Sequence, residues 1–230
     1  MALFYSLVDE GVSSALWDAL LQISGCDPGL QSTAILTQAQ VTYAPQKPSN
    51  PATMRLQRIV DSPASIVLHS VNPGFIDPWG GVLMYGGLTY YPDGNGPANI
   101  WIDMTQAGAQ GYRELDPQGN YISAPNAVIL YHELAHAFHG VVARDSPTLR
   151  NTGDPDTDNA NLAADQLMVI ADENQFRQVL GLPLRIPTLQ AIDGDDYLGP
   201  PTVGPASLND CNDGVWSLDC LVDKIKQLLS

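Results

Sequence analysis

Leu16, Trp17, Leu20 and Leu21 recur at helical spacing in the opening stretch. Residues 3–24 are therefore expected to form an amphipathic helix that stops at Gly25 and the turn "CDPG". Residues 26–63 hold no sustained period, and the proline-spaced "YAPQKPSNPAT" predicts loop. "SIVLHSV" (65–71) is a short β-rich run ended by "NPG". "GVLMYGGLTYY" (81–91), the turn "PDGNG" and "NIWIDM" (99–104) predict a strand, a hairpin loop and a second strand. After an irregular crossing at 105–122, a helix is expected from Ser123 or Asn126 through "AVILYHELAHAFH", with Pro125 in its first turn and a stop at Gly140. "NLAADQLMVIADENQFRQVL" (161–180) predicts a second long helix closed by Gly181 and Pro183, and 215–229 a short C-terminal one. Strands followed by helices indicate an α+β class. The expected organisation is one domain, with a core over about 65–200 and the helices 3–24 and 215–229 as appendages.

Composition narrows the partners. The chain has 230 residues, 44% apolar and 15% charged, enough to bury a substantial core, and 20 Gly with 18 Pro make it loop-rich. A formal charge of −15 disfavours phosphate backbones and anionic lipid, so neither nucleic acid nor membrane is expected as a partner. No apolar run approaches membrane-spanning length, and the N-terminus carries Asp9 and Glu10 without a basic segment, so no signal peptide is expected. This predicts a soluble protein and leaves its compartment and oligomeric state open. Cys211 and Cys220 could close a small loop in an oxidising compartment, leaving Cys26 alone.

The candidate chemistry lies in "YHELAHAFHG" (131–140). A chain with only four histidines and four glutamates places three of the former and one of the latter within ten positions. His-Glu-x-x-His would arise by chance in about one such chain in a thousand, taking the motif as defined. On a helix, His132 and His136 stand one turn apart on one face and can grip one zinc ion, while Glu133 points slightly aside, where it can hold a water as general base. Burying that carboxylate in the apolar "AVIL" setting without a cation would be costly. His139 lies a further turn along, too far for easy coordination of the same ion, and is assigned a place beside the metal or substrate.

A catalytic zinc needs a third protein ligand and one open position. Glu173, the one glutamate after the motif, is favoured by residue type; Asp165, two turns earlier on the same helix, is the alternative.

"PNAVILYHELAHAFHG" followed by "ADENQFRQVLGLPLR" resembles the effector-type zinc metallopeptidases of injected bacterial virulence proteins and polymorphic toxins, and the "HELAHAFH" core is similar to the light chains of clostridial neurotoxins. "GGLTYYPDGNGPANIWIDM" resembles that family's glycine-rich strand segment, so the likeness covers about residues 80–185. The resemblance implies a zincin-like fold, in which a small antiparallel or mixed sheet packs on the His-Glu-x-x-His helix and a second helix bears a ligand. It implies His132 and His136 as zinc ligands, Glu133 as base, and export or delivery to a target cell. It also puts Asp165 where the family usually carries a glutamate.

The expected function is that of a zinc endopeptidase acting on protein or peptide, with one zinc per chain. Arg177, Arg185 and Tyr197 are the available donors to the oxyanion, and Arg177 could equally pair with an acid. The "NIWIDM" strand could hold extended substrate by backbone pairing. Other readings are a zinc hydrolase of a non-peptide bond, or a metal-stabilised binding domain whose zinc is closed by Cys26, Cys211 or His69. "DPDTDNANLAAD" (154–165) has acids at positions suggestive of a calcium loop, but Pro155 and Asn159 depart from the pattern, and a solvated acidic turn is the favoured reading.

Overall fold

The computed structural model describes residues 3–8, 13–72, 75–76, 86–91, 97–104, 113–147 and 152–186. The expectations placed on Tyr197, Cys211, Cys220 and the helix 215–229, and on the turn "PDGNG", lie outside these residues.

The opening stretch is not one helix. Leu3–Ser6 form a strand, β1, and only Ser13–Ile23 are helical, α1. A short apolar run such as "LFY" fits a buried strand and a helix equally by periodicity, and its aromatic residues favour the strand once neighbours flank both sides. Those neighbours are β3 (Gln38–Tyr43), antiparallel, and β4 (Ile66–Val71), parallel. The segment is thus central to the sheet and no appendage. The six strands run β2-β3-β1-β4-β6-β5, with β2 at Leu30–Ile35, β5 at Gly87–Tyr90 and β6 at Ala98–Asp103. A separate ribbon pairs β7 (Arg113–Leu115) with β8 (Tyr121–Ser123). The molecule is α+β with a mixed sheet.

The order corrects one expectation. β6, the "NIWIDM" strand, is parallel to β4 on one side and antiparallel to β5 on the other, so its backbone groups are already paired. The terminal strand on that side, among the described residues, is β5.

Residues 51–61 correct another, because the proline-rich stretch opens a helix, α2 (Pro51–Asp61). Asn50 accepts from the backbone amides of Ala52 and Thr53, Thr53 Oγ1 accepts from the Asn50 amide, and Pro51 occupies the first turn, where its missing N–H costs nothing. Buried Ala52, Leu56 and Ile59 hold the helix to the core.

Helix α3 (Asn126–Ala137) is apolar nearly all round, with Val128, Leu130, Tyr131, Leu134 and Ala137 buried, and it packs against α1, α4 and the β5–β6 pair. Gly140 does not stop it. The chain continues as a π-helical turn, Phe138–Ala143, and ends at Arg144, which is left-handed (φ 58°). Helix α4 (Pro155–Leu180) begins six residues before the expected start, capped by Asp154, and ends at Gly181 (φ 67°). Residues 155–165 are therefore helical, so no calcium-type loop exists there, and Asp156 and Asp158 are simply the acids of the first turn. No helix among the described residues is long and apolar enough to cross a membrane.

Candidate functional site

The two motif histidines face α4, and each meets a carboxylate there. His132 Nδ1 lies 2.8 Å from Glu173 Oε2, and His136 Nδ1 lies 2.7 Å from Asp165 Oδ2. Each carboxylate accepts, so Nδ1 carries the proton and the lone pair of each neutral ring is on Nε2. His136 Nε2 sits 3.2 Å from the amide nitrogen of Gln166, a donor to that lone pair. Among the described residues nothing hydrogen-bonds His132 Nε2. Burial holds the His132 ring below its ordinary pKa despite Glu173. For His136 burial acts the same way, but the Asp165 hydrogen bond and the charges of Glu133 and Asp165 outweigh it and raise the ring.

Glu133, on the same helix, turns toward the sheet. Its Oε2 lies 2.6 Å from the Thr89 hydroxyl of β5, which also reaches the Glu133 carbonyl at 3.1 Å. Gly87 makes the room: a Cβ there would sit 2.5 Å from Glu133 Cγ and 2.8 Å from Cδ and Oε1. Gly87→Ala is thus expected to push the buried Glu133 side chain off its place from Cγ outward and to lower Tm. A melting curve beside the parent's checks this; a parental Tm would contradict it.

Glu173 is fully buried and both its oxygens are committed. Oε1 accepts from Arg177 Nε at 2.6 Å, and Oε2 accepts from Arg185 Nη1 at 3.0 Å besides facing His132. Arg177, itself fully buried, also binds Glu114 of β7 through Nη2 and the carbonyls of Ser123 and Pro183 through Nη1, and Arg185 reaches Glu114 at 3.1 Å. Burial would raise Glu173, but Arg185, His132 and Arg177 hold it well below the carboxylate range. Glu114 goes the other way: burial, reinforced by Glu173 and opposed by the two arginines, pushes it up to about 8.

Asp165 is also buried but only half committed: Oδ1 is shielded from solvent and has no hydrogen-bond partner, as is true of Gln166 Oε1 beside it. Burial opposes its ionisation, yet the hydrogen bond and charge of His136, with a further hydrogen bond from Ser146, keep the carboxyl below its ordinary value. The structure thus brings both proposed third ligands to the site, each at the Nδ1 edge of a histidine. Among the described residues no three His, Cys, Asp or Glu side chains are gathered into a metal-holding group. His69 stacks on Trp101, and Cys26 is exposed in the turn after α1.

His139 is committed on both sides, with Nδ1 2.7 Å from Asp145 and Nε2 2.7 Å from Asp172. Arg55 of α2 binds the same Asp172 carboxylate, and the guanidiniums of Arg55 and Arg58 each stand 4.6 Å from the Phe138 ring centre. This cluster ties α2, the π turn and α4 together, and Arg177 takes the acid-pairing role of the two left open for it. Thr89, Glu114, Gln166 and Asp172 were not anticipated. The scarcity of glutamate that drew attention to Glu133 applied equally to Glu114.

Comparison of the chain with protein-family models, with curated proteins and with solved structures finds no match.

Proposed function

We propose that the protein is a zinc-dependent peptidase, with its site at His132, Glu133 and His136. The observation that supports this best is the pairing of both motif histidines with carboxylates of α4, because a proton fixed on Nδ1 leaves each Nε2 as a donor. Metal-binding histidines are oriented by this kind of carboxylate contact. The donor kinds fit zinc: two imidazoles and a buried carboxylate. Both acids stand at the Nδ1 edges, away from the Nε2 lone pairs, so the third ligand must first turn from its histidine; Asp165, whose Oδ1 has no hydrogen-bond partner, has fewer contacts to give up than Glu173, both of whose oxygens are bound. A bound zinc supplies a Lewis acid that polarises the substrate carbonyl and eases deprotonation of water. Glu133, steadied by the Thr89 hydroxyl, takes a proton from the attacking water and passes it to the leaving nitrogen. An extended peptide is suited to β5, the terminal strand on that side among the described residues and the one that carries Thr89 and Gly87.

Digestion of a peptide library, read by mass spectrometry with and without chelator, tests the activity; cleavage that chelation abolishes is expected, and none at all would overturn the reading. The ligand assignment has its own test. Asp165→Asn should weaken zinc binding more than Glu173→Gln, whose loss is expected at ~10–100-fold, as for an orienting partner. Competition with a chromogenic chelator measures both, and the reverse order would return the third place to Glu173.

A further inference from the structure

Among the described residues the sheet ends on one side at β5, beside Glu133, and on the other at β2. Every side chain of β2 from Gln31 to Ile35 is exposed, so this edge lies open. The Thr37 carbonyl accepts from the Leu7 amide, and the alternation that follows turns Gln38, Gln40 and Thr42 toward β2. The register then leaves the backbone groups of Ser32 and Ala34 pointing outward from the sheet. Edge strands are commonly guarded by a lysine, a proline or a bulge. β2 has none of these, and no residue from Pro28 to Gln46 is charged, in a chain of 25 acids and 10 bases. At a net charge of −15 two copies repel, so an uncharged stretch is where they approach at least cost. The two ends of β2 differ in shape. At one, Leu36 in the two-residue turn to β3 is 96% exposed and held at φ 57°, a conformation that favours glycine. At the other lies a cavity of about 310 Å³, lined among others by Gly29, Gln31, Tyr43, Ala44, Val60 and Asp61.

We infer that β2 is an interface between two copies of this chain, which pair β2 against β2, antiparallel about a two-fold axis, into one continuous sheet. The inference is independent of the peptidase reading, because β2 lies at the opposite end of the sheet from β5 and Glu133. A two-fold interface must be self-complementary, so what one end of the strand presents the other must receive. Antiparallel pairing carries Leu36 of each copy to the Gly29 end of its partner, which is the end with the cavity. With the axis at Ser32, Gln31 faces the partner's Thr33 and Ile35 faces the partner's Gly29, so no charge meets another. The outward amide of Ala34 then donates to the carbonyl of the partner's Leu30, and the two Ser32 residues exchange both their bonds. Strained backbone is kept where it serves a function, and here it holds an apolar side chain out for the second copy.

Sedimentation equilibrium of the full chain, from high micromolar concentration downward, tests the inference. The parent should be a dimer that dissociates on dilution. Leu36→Gly should raise its Kd ~30-fold, the size of losing one apolar anchor. The dilute variant should melt no lower than the dilute parent, because glycine suits the turn. Ala34→Pro removes an outward amide while sparing the bonds to β3, and should raise the Kd at least ~10-fold. A parent that stays monomeric at every concentration would overturn the inference. So would a dimer whose Kd neither variant moves, since its interface would then lie elsewhere.

Discussion

Glu133→Gln is expected to keep the metal and lose ~10²–10⁴-fold in turnover, the usual range for loss of a general base. The amide nearly matches the carboxylate in shape, so it fits the space left by Gly87 and its oxygen can still accept from Thr89. What it lacks is the capacity to take a proton from water. Neither ring contact to α4 involves Glu133, so zinc content should stay at the parental level. Steady-state kinetics on a cleaved peptide, beside metal analysis of the same sample, checks both halves. If the variant cleaved like the parent, Glu133 would not be the base.

Arg177→Met should be the most damaging single change to stability. Arg177 is fully buried and stands between Glu114 and Glu173, with its remaining donors on the carbonyls of Ser123 and Pro183. Removing it leaves buried Glu173 to Arg185 and the His132 ring, and Glu114 to Arg185, and breaking a buried pair in this way costs ~3–5 kcal/mol. Adding Glu114→Gln should recover part of the loss. The same network gives stability a pH dependence of defined sign. Glu114, pushed up from 4.5 to about 8, keeps a proton in the folded chain that the unfolded chain has released, so its contribution makes stability fall as pH rises through that window. Glu173, held below its ordinary value, contributes stability above 4.5 that is lost on acidification. Urea unfolding of the parent from pH 4.5 to 8 should therefore show a decline that Glu114→Gln flattens. A loss of only ~1 kcal/mol for Arg177→Met, the size of an exposed pair, would contradict the account.

Helix α3 was legible in the sequence because its unbroken apolar run and the His-Glu-x-x-His spacing agree on it, although Pro125 caps the helix from outside and does not lie in its first turn. The strand β1 was not, since "LFY" carries no period long enough to separate strand from helix; only its pairing with β3 and β4 decides. α2 hid behind the prolines that precede it, although Asn50-Pro51 with Thr53 is a start signal in its own right. Within the site, His132, Glu133 and His136 could be named from spacing on one helix. The partners could not be assigned, because the question of which acid meets which histidine is settled by how α4 crosses α3. Asp165 and Glu173, eight residues apart, turn out to serve two histidines one turn apart.

The central claim is that His132 and His136 together hold one zinc ion. Metal analysis of protein purified without chelator addresses it most directly, comparing the parent with the double variant His132→Ala/His136→Ala. The account predicts about one zinc per chain in the parent, as the donor set implies, and none in the variant. A parent free of any stoichiometric transition metal, or a variant that keeps its zinc, would contradict it.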